Sequence, residues 1–201
     1  MGKFYHDGIE LDVPEMVYYP REDSLLIAKV LENTDVKGKT VLEIGCGSGF
    51  LSVLLAKKGA SVTAVDISEE AVETTKTNAE TNGTKITILK SDLFSSVGGK
   101  FGLIVFNPPY LPVEEGETDF TYAGGLSGRE TIERFVSDAK DHLLPNGTVL
   151  IVISSLTGEK ETTNLFEKEG MKSRVVAREK IPWEELIVLE SSQARAEASL
   201  R

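Results

Sequence analysis

The 201-residue sequence predicts an α/β fold built on one largely parallel sheet. Short apolar runs typical of buried strands alternate with segments in which apolar residues recur at helical spacing. Acidic or amide side chains stand at the ends of four predicted strands in order, namely Glu43, Asp66, Asp92 and Asn107. Ligands bind at the carboxyl ends of the strands in such sheets, so these four side chains should share one site. We therefore expect a Rossmann-like sheet of seven strands with helices on both faces.

The first predicted unit is a strand, a glycine-rich turn and a helix. Residues 40–44 form an apolar run, Gly45-Cys-Gly-Ser-Gly49 follows, and residues 50–58 show helical spacing that ends at Gly59. Phe50 stands where a dinucleotide fingerprint has its third glycine. The turn is therefore suited to the close approach of a ligand that is less charged than a pyrophosphate.

The second and third strands each precede an acid. Residues 61–66 end in Asp66, 17 residues after Gly49, and an acid there can accept hydrogen bonds from both hydroxyls of a ribose. The third strand, residues 85–89, precedes Asp92, which can accept the amino group of an adenine. Taken singly, each acid also fits a helix cap or a solvated strand end.

The fourth strand, residues 101–106, leads directly into Asn107-Pro-Pro-Tyr110. Two consecutive prolines fix φ and remove two N–H donors, which leaves the carbonyls of the turn as free acceptors. The Asn107 side-chain oxygen and the Pro108 carbonyl can accept both hydrogens of a planar nitrogen, and Tyr110 offers a face for stacking. This arrangement positions a poor nucleophile without deprotonating it. The alternative is a strand end closed by a Pro-Pro turn.

The remaining elements complete the sheet. A leading helix over residues 22–33 covers the site, and residues 111–126 form a loop long enough to be a substrate lid. The other elements are a helix over 127–143, a strand over 148–154, a helix over 158–169 and strands over 172–179 and 185–190. We expect a single domain over residues 1–190 and a disordered tail over residues 191–201.

Composition narrows the function classes. One cysteine and two histidines predict neither a disulfide framework nor a zinc site, so we expect no metal. A net charge of −10 and a pI of about 4.8 argue against a large surface for binding duplex DNA, because contacts to its phosphates need Lys and Arg. The N-terminus has no apolar signal region and no stretch approaches membrane-spanning length, so we expect a cytoplasmic protein without membrane contact.

These motifs resemble the class I S-adenosylmethionine-dependent methyltransferases. Val41-Leu-Glu-Ile-Gly-Cys-Gly-Ser-Gly49 is similar to their glycine loop, and Asn-Pro-Pro-Tyr to the motif of the members that methylate amide or amino nitrogen. The resemblance implies that S-adenosyl-L-methionine is the cofactor and assigns it Ser24, Glu43, Gly45, Gly47, Asp66, Ile67, Asp92, Leu93 and Asn107. The implied catalytic residues are Asn107, Pro108 and Tyr110, and the implied substrate-binding residues are Asn107, Pro108, Pro109 and Tyr110.

Two further motifs narrow the resemblance to the HemK type. Tyr18-Tyr-Pro-Arg-Glu-Asp-Ser24 resembles the N-terminal signature of enzymes that methylate the glutamine of the Gly-Gly-Gln loop in peptide-chain release factors. Tyr122-Ala-Gly-Gly-Leu-Ser-Gly-Arg-Glu130 is similar to a loop of the small archaeal and eukaryotic branch. The family also implies that the last strand is antiparallel and lies between its neighbours.

The resemblance has one departure, which concerns substrate recognition. Bacterial members carry a helical recognition domain before the Tyr-Pro-Arg segment, and only seventeen residues precede Tyr18 here. In the small branch the resemblance implies a heterodimer with a short zinc-ribbon activator, which covers the edge strand corresponding to residues 85–89. An edge strand offers unpaired backbone groups for such pairing. Under the alternative, Ile86 and Ile88 face the core of a self-sufficient monomer.

Three functions remain open from sequence. The first is methylation of a release-factor glutamine. The second is methylation of an amino group on adenine in RNA or DNA, or on another planar amine, because adenine methyltransferases share the tetrapeptide. The third is a cofactor-binding scaffold that works through a partner. The acidic charge and the absence of a base-reading region favour a protein substrate.

Overall fold

The computed structural model describes residues 2–110 and 129–193. A two-stranded N-terminal hairpin, β1 (Gly2–His6) and β2 (Ile9–Val13), precedes helix α1 (Glu22–Glu32). The elements that follow are β3 (Thr40–Ile44), α2 (Phe50–Lys57), β4 (Ser61–Asp66), α3 (Glu69–Thr81), β5 (Ile86–Lys90), β6 (Phe101–Phe106), α4 (Glu130–Ala139), a 3₁₀ turn (Lys140–His142), β7 (Leu143–Ser154), α5 (Glu159–Lys168), β8 (Met171–Ile181) and β9 (Glu184–Gln193).

The larger sheet confirms the predicted fold class. Its seven strands are hydrogen-bonded in the order β5-β4-β3-β6-β7-β9-β8. Strands β3 to β7 run parallel to one another, whereas β9 is antiparallel to both β7 and β8. The family expectation of an antiparallel last strand between two neighbours is therefore correct.

The central strands are apolar because both faces of the sheet are covered. Val41 on β3 packs in a cluster with Leu54 of α2 and Ile27 of α1. Leu42, the next residue of β3, points to the opposite face and packs in a second cluster with Phe135 of α4. Adjacent residues of β3 thus serve two cores, which fixes the register of the strand.

The sheet topology brings the predicted motifs together. The chain runs from β3 outward through β4 and β5, then returns to place β6 on the other side of β3. Strands β3 and β6 are parallel and in register, with Ile44 opposite Phe106. The turns that begin at Gly45 and Asn107 therefore leave the same edge at neighbouring strands, where open α/β sheets bind ligands.

Several element boundaries differ from those predicted from sequence. The N-terminal hairpin was not expected. Among the described residues, the helix predicted over 127–143 runs only from Glu130 to Ala139, because the chain turns and β7 begins at Leu143, paired with Phe101. Strand β7 therefore starts five residues before its predicted start at 148.

The C-terminal boundary also differs. Strand β9 continues to Gln193, which pairs with Met171, so residues 191–193 belong to the sheet and not to the predicted tail. The buried Ser191 hydroxyl lies 2.7 Å from that of Ser173. The rest of the predicted tail, most of the Tyr122–Glu130 motif and the predicted lid over 111–126 lie outside the described residues.

In the parts of the chain that the structure describes, none of the helices has the length and apolar character needed to span a bilayer.

Candidate active site

The glycine turn after β3 has a backbone shape that favours glycine. Gly45 has φ of +68° and Gly47 has φ of +51°, in the left-handed region that side chains rarely adopt. A Cβ on Gly45 would lie 3.5 Å from the Phe106 ring, whereas a Cβ on Gly47 would meet nothing within 4 Å. The open space beside Gly47 suits a ligand that packs against bare backbone.

Asp66 closes the glycine turn from the end of β4. Its carboxylate accepts hydrogen bonds from the backbone N–H of Gly47 at 2.9 Å and of Ser68 at 3.0 Å. Burial raises the pKa of the Asp66 carboxyl, while these backbone donors lower it. A carboxylate has about four lone-pair sites, so two bonds leave capacity for a ligand diol.

Glu43 lies on β3, beneath the glycine turn. It is buried and accepts a short hydrogen bond from the hydroxyl of Ser52 on α2. Burial raises the pKa of the Glu43 carboxyl to about 8, against the lowering effect of that bond. Folding therefore makes ionisation of the Glu43 carboxyl less favourable. The sequence analysis did not predict Ser52 as its hydrogen-bond partner.

The third acid, Asp92, has a cationic neighbour. Arg134 of α4 forms an ion pair with Asp92 Oδ2 at 2.7 Å, and both side chains are solvent-accessible. Leu93 follows with φ of +48°, and Ile67 after β4 is 54% exposed. The predicted residues after β4 and β5 are thus accessible, and Asp92 Oδ1 accepts no hydrogen bond from another described residue.

Asn107 has one satisfied and one unsatisfied end. Its Nδ2 donates to Asp23 Oδ2 at 3.1 Å and contacts Ser24 Oγ at 3.4 Å. Its Oδ1 is buried and has no hydrogen-bond partner among the described residues. A buried acceptor without a donor costs about 1–3 kcal/mol, so this oxygen is prepared for a donor that a ligand brings.

Asp23, which the sequence analysis did not single out, organises this half of the site. It lies in the first turn of α1 and is only 4% exposed. Its oxygens accept hydrogen bonds from the Tyr18 hydroxyl (2.9 Å), the Tyr110 hydroxyl (3.3 Å), Asn107 Nδ2 (3.1 Å) and the Ser24 backbone N–H (2.5 Å). The sequence signal for Asp23 was its place in the Tyr-Pro-Arg-Glu-Asp-Ser motif, which the sequence analysis interpreted only as a family resemblance.

The two tyrosines act as neutral donors to Asp23. Burial, followed by the negative charge of Asp23, raises the pKa of the Tyr18 and Tyr110 hydroxyls far above the usual range. Both hydroxyls therefore keep their protons and point them at the carboxylate. Because a carboxylate only accepts, the amino end of the Asn107 amide must also face Asp23, and Oδ1 must face away.

The predicted site residues fall into two groups. Asn107, Tyr110 and Ser24 share one hydrogen-bond network through Asp23. The glycine turn and Asp66 form a second network. Within the tetrapeptide turn, Pro108 is buried and Pro109 is half-buried. The Pro108 carbonyl accepts no hydrogen bond from a described residue.

One His-Asp-Glu group lies away from this edge. His6 Nε2 is 2.8 Å from Glu32 Oε1, and Asp7 has a carboxylate oxygen within 4.8 Å of both atoms. Lys58 Nζ donates to the Glu32 carbonyl at 2.6 Å. We describe this group as a polar connection between the hairpin and the end of α1, and we assign no metal to it.

The comparisons with known proteins agree with this geometry. The family model named Methyltransferase small domain matches residues 22–181. A Methanocaldococcus jannaschii protein, provisionally named protein N5-glutamine methyltransferase, is 47% identical over 91% of this chain and 95% of its own length. The release factor glutamine methyltransferase of Streptococcus pneumoniae is 33% identical over 84% of this chain, which spans only 64% of that protein.

A solved structure extends the comparison. The chain resembles one from the E. cuniculi Mtq2–Trm112 complex, whose title states that it is responsible for methylation of the eRF1 translation termination factor. The TM-score is 0.74 at 25% identity, covering 89% of this chain and 99% of that one.

Fold, site and family model define the chain as a class I methyltransferase, for which S-adenosylmethionine is the methyl donor. Within that class it belongs to the family of protein N5-glutamine methyltransferases, the HemK type.

Proposed function

We propose that this chain methylates the side-chain amide of the glutamine in the Gly-Gly-Gln loop of a peptide-chain release factor. The observation that carries the proposal is the buried Asn107 Oδ1, which lacks a donor among the described residues. A primary amide presents two N–H groups, and Asn107 Oδ1 with the Pro108 carbonyl can accept both. One relative is named release factor glutamine methyltransferase, and the similar complex is titled as responsible for methylation of eRF1. Both support the same substrate class.

The residues of the tetrapeptide would perform the reaction by positioning. When bound, S-adenosylmethionine supplies a sulfonium methyl group that transfers to the nitrogen while sulfur keeps the electron pair of the broken bond. Asn107 and Pro108 fix the two N–H groups, so that the nitrogen presents its remaining lobe in line with the methyl carbon. Holding two reactants in line can remove up to about 7–11 kcal/mol of barrier. The nitrogen then loses its extra proton to water.

Asp23 would set the direction of the Asn107 amide. The carboxylate holds Nδ2 and therefore keeps Oδ1 towards the acceptor. The Tyr110 hydroxyl is tied to the same carboxylate, which fixes the ring that covers the planar amide. Catalysis by orientation requires such rigid support, because small misplacements of a positioning group cost rate steeply.

The glycine turn and the three acids would hold the cofactor. The bare backbone at Gly45 and Gly47 suits its methionine end, with Glu43 below and Ser24 above. The remaining lone pairs of Asp66 suit the ribose hydroxyls. The adenine would be bound by three residues at the ends of the outer strands, namely Ile67, Asp92 and Leu93. We also propose that one methyltransferase domain includes the predicted residues 1–190 and extends to Gln193, where β9 ends.

We propose a small zinc-ribbon partner at strand β5, as the family resemblance implies. The similar solved structure is a complex of two proteins, Mtq2 and Trm112, which supports a partner for this chain. In the described sheet β5 is an edge strand, so its outer backbone groups are available for strand pairing. Leu89 is 36% exposed there, and Leu89→Asp should abolish copurification with the partner. The control Leu144→Asp, at a similarly exposed leucine on β7, should leave copurification intact.

The substrate test uses a purified release factor. The chain, with its partner, is incubated with S-adenosylmethionine and the factor, and the digested factor is analysed by mass spectrometry. We expect one methyl group on the glutamine after Gly-Gly, and none on a factor with that glutamine changed to alanine. Methylation of nucleic acid but not of the factor would instead support the amino-group alternative. Because release factors act in the cytoplasm, we propose that location as well.

A further inference from the structure

The turn between β8 and β9 carries an exposed aromatic ring in an unfavourable backbone conformation. Ile181 pairs with Glu184, so Pro182 and Trp183 form a two-residue turn. Trp183 is 97% exposed and has φ of +77°. Proline followed by a residue at positive φ matches a type II turn, whose second central position favours glycine. A tryptophan there costs about 1–2 kcal/mol and buries no surface in return.

This turn lies at the ligand edge of the sheet. Strand β9 is antiparallel to β7, with Leu186 opposite Ser154 at the carboxyl end of β7. The residues before Leu186 therefore project beyond that end, and β7 neighbours β6, from which Asn107 leaves. The Ser154 hydroxyl donates to the Glu184 carboxylate, which fixes the turn at this edge.

An electrostatic contact connects the turn with the acceptor site. The pKa of the Tyr110 hydroxyl is raised mainly by burial and by Asp23, and the negative charge of Glu184 adds to that increase. Glu184 is thus near enough to Tyr110 for their charges to interact, and Trp183 is the residue immediately before it. An exposed ring beside a reactive site fits a role in recognition, since strained residues cluster where function requires them.

We propose that Trp183 is a docking residue for the polypeptide substrate, with its indole covering the backbone of the loop that carries the acceptor glutamine. This inference rests on the proposed function above. The two glycines before the glutamine have no side chains, so a flat ring on the enzyme can lie directly against their backbone. Tryptophan supplies a large apolar area at a small entropic cost and dominates many binding interfaces.

The chain offers a direct probe, because Trp183 is its single tryptophan. Its fluorescence therefore reports on this turn alone. Titration with a tryptophan-free Gly-Gly-Gln loop peptide or release-factor domain should shift the emission to the blue and saturate. S-adenosylmethionine alone should leave the emission unchanged. An emission change with the cofactor alone, and none with the release factor, would overturn the docking role.

Steady-state kinetics provide the second measurement. Trp183→Gly suits the positive φ, so the variant should fold; it should raise the KM for the release factor at least about ten-fold. The kcat and the cofactor affinity should stay within about two-fold, and Trp183→Tyr should recover part of the KM. The control Tyr5→Ala removes another exposed ring, 66% exposed on β1, and should leave the KM unchanged.

The outcomes separate the two proposals. If the wild-type enzyme methylates the release factor and Trp183→Gly has an unchanged KM, the docking role is wrong and the proposed function stands. If the wild-type enzyme does not methylate the factor, the proposed function fails and the docking role fails with it. If Trp183→Gly lowers kcat instead of raising KM, the residue supports the reacting groups and does not dock the substrate.

Discussion

The glycine turn after β3 and the Asn-Pro-Pro-Tyr turn after β6 lie side by side but are held differently. In the glycine turn, Asp66 binds backbone N–H groups, and the conformation depends on glycines at positive φ. In the second turn, Asn107 and Tyr110 depend on one buried carboxylate, Asp23, from a helix far away in sequence. The proposed cofactor half is therefore defined by local backbone shape, and the proposed acceptor half by a long-range side-chain network.

The largest expected effect breaks the acceptor half alone. Asn107→Ala removes Oδ1, which has no hydrogen-bond partner among the described residues, and should lower kcat about 100- to 1000-fold, as for loss of a positioned transition-state hydrogen bond. Calorimetry should show cofactor affinity within a few-fold of wild type, because Asp66 and the glycine turn are untouched. Retention of most turnover would mean that the tetrapeptide is structural.

The next effect breaks the cofactor half. Asp66→Ala removes charge-assisted hydrogen bonds worth about 1.5–3 kcal/mol, so calorimetry should show cofactor binding about 10- to 150-fold weaker. The kcat at saturating cofactor should change much less than in Asn107→Ala. Glu80→Ala, at an exposed acid on α3, serves as the control and should bind as the wild type does. Unchanged affinity in Asp66→Ala would remove the ribose assignment.

A smaller effect tests the support beneath the acceptor. Asp23→Asn keeps the size of the side chain but removes the charge that orients the Asn107 amide, and kcat should fall roughly ten-fold since charged hydrogen bonds are about twice as strong as neutral ones. Tyr18→Phe removes a different donor to the same carboxylate and should reduce kcat only slightly. Equal losses in both variants would indicate a structural role for the whole network.

The last effect concerns a different quantity, the free energy of unfolding. The folded pKa of Glu43, about 8, lies above its ordinary value of 4.5, so the folded state binds a proton that the unfolded state releases between these values. The free energy of unfolding should therefore fall as pH rises from about 4.5 to about 8. Glu43→Gln should flatten that decline in urea titrations, whereas Glu80→Gln should retain it. An identical decline in both variants would rule out Glu43 as its source.

Local signals predicted the sheet and the position of the glycine turn well. The unit from residue 40 to residue 58 needs only a buried strand, a glycine turn and a helix in succession, all visible in sequence. The N-terminal hairpin was not predicted, although the sequence carries a signal for it. Asp7-Gly8 between two short runs is typical of a hairpin turn. The early start of β7 was not predicted either. Pro145-Asn-Gly147 is typical of a turn, yet these residues lie within the strand.

For the turn after β6, the sequence indicates the residues but not the hydrogen-bond network that holds them. The sequence predicts that Asn107 follows a strand, but nothing local links it to Asp23, 84 positions earlier. The same limit applies to Arg134, which reaches Asp92 from a helix 42 positions later. Such contacts arise when the sheet closes, so strand and helix periodicity carry no information about them.

A double-mutant cycle on Asp23 and Asn107 tests the central claim, that Asp23 acts by orienting the Asn107 amide. Single-turnover rates on the release factor are measured for wild type, Asp23→Asn, Asn107→Ala and the double variant, with cofactor saturating. If Asp23 works through Asn107, the double variant should be about as slow as Asn107→Ala alone, since the orienting charge has nothing left to orient. If the two losses multiply instead, Asp23 acts independently and the account of the acceptor site is contradicted.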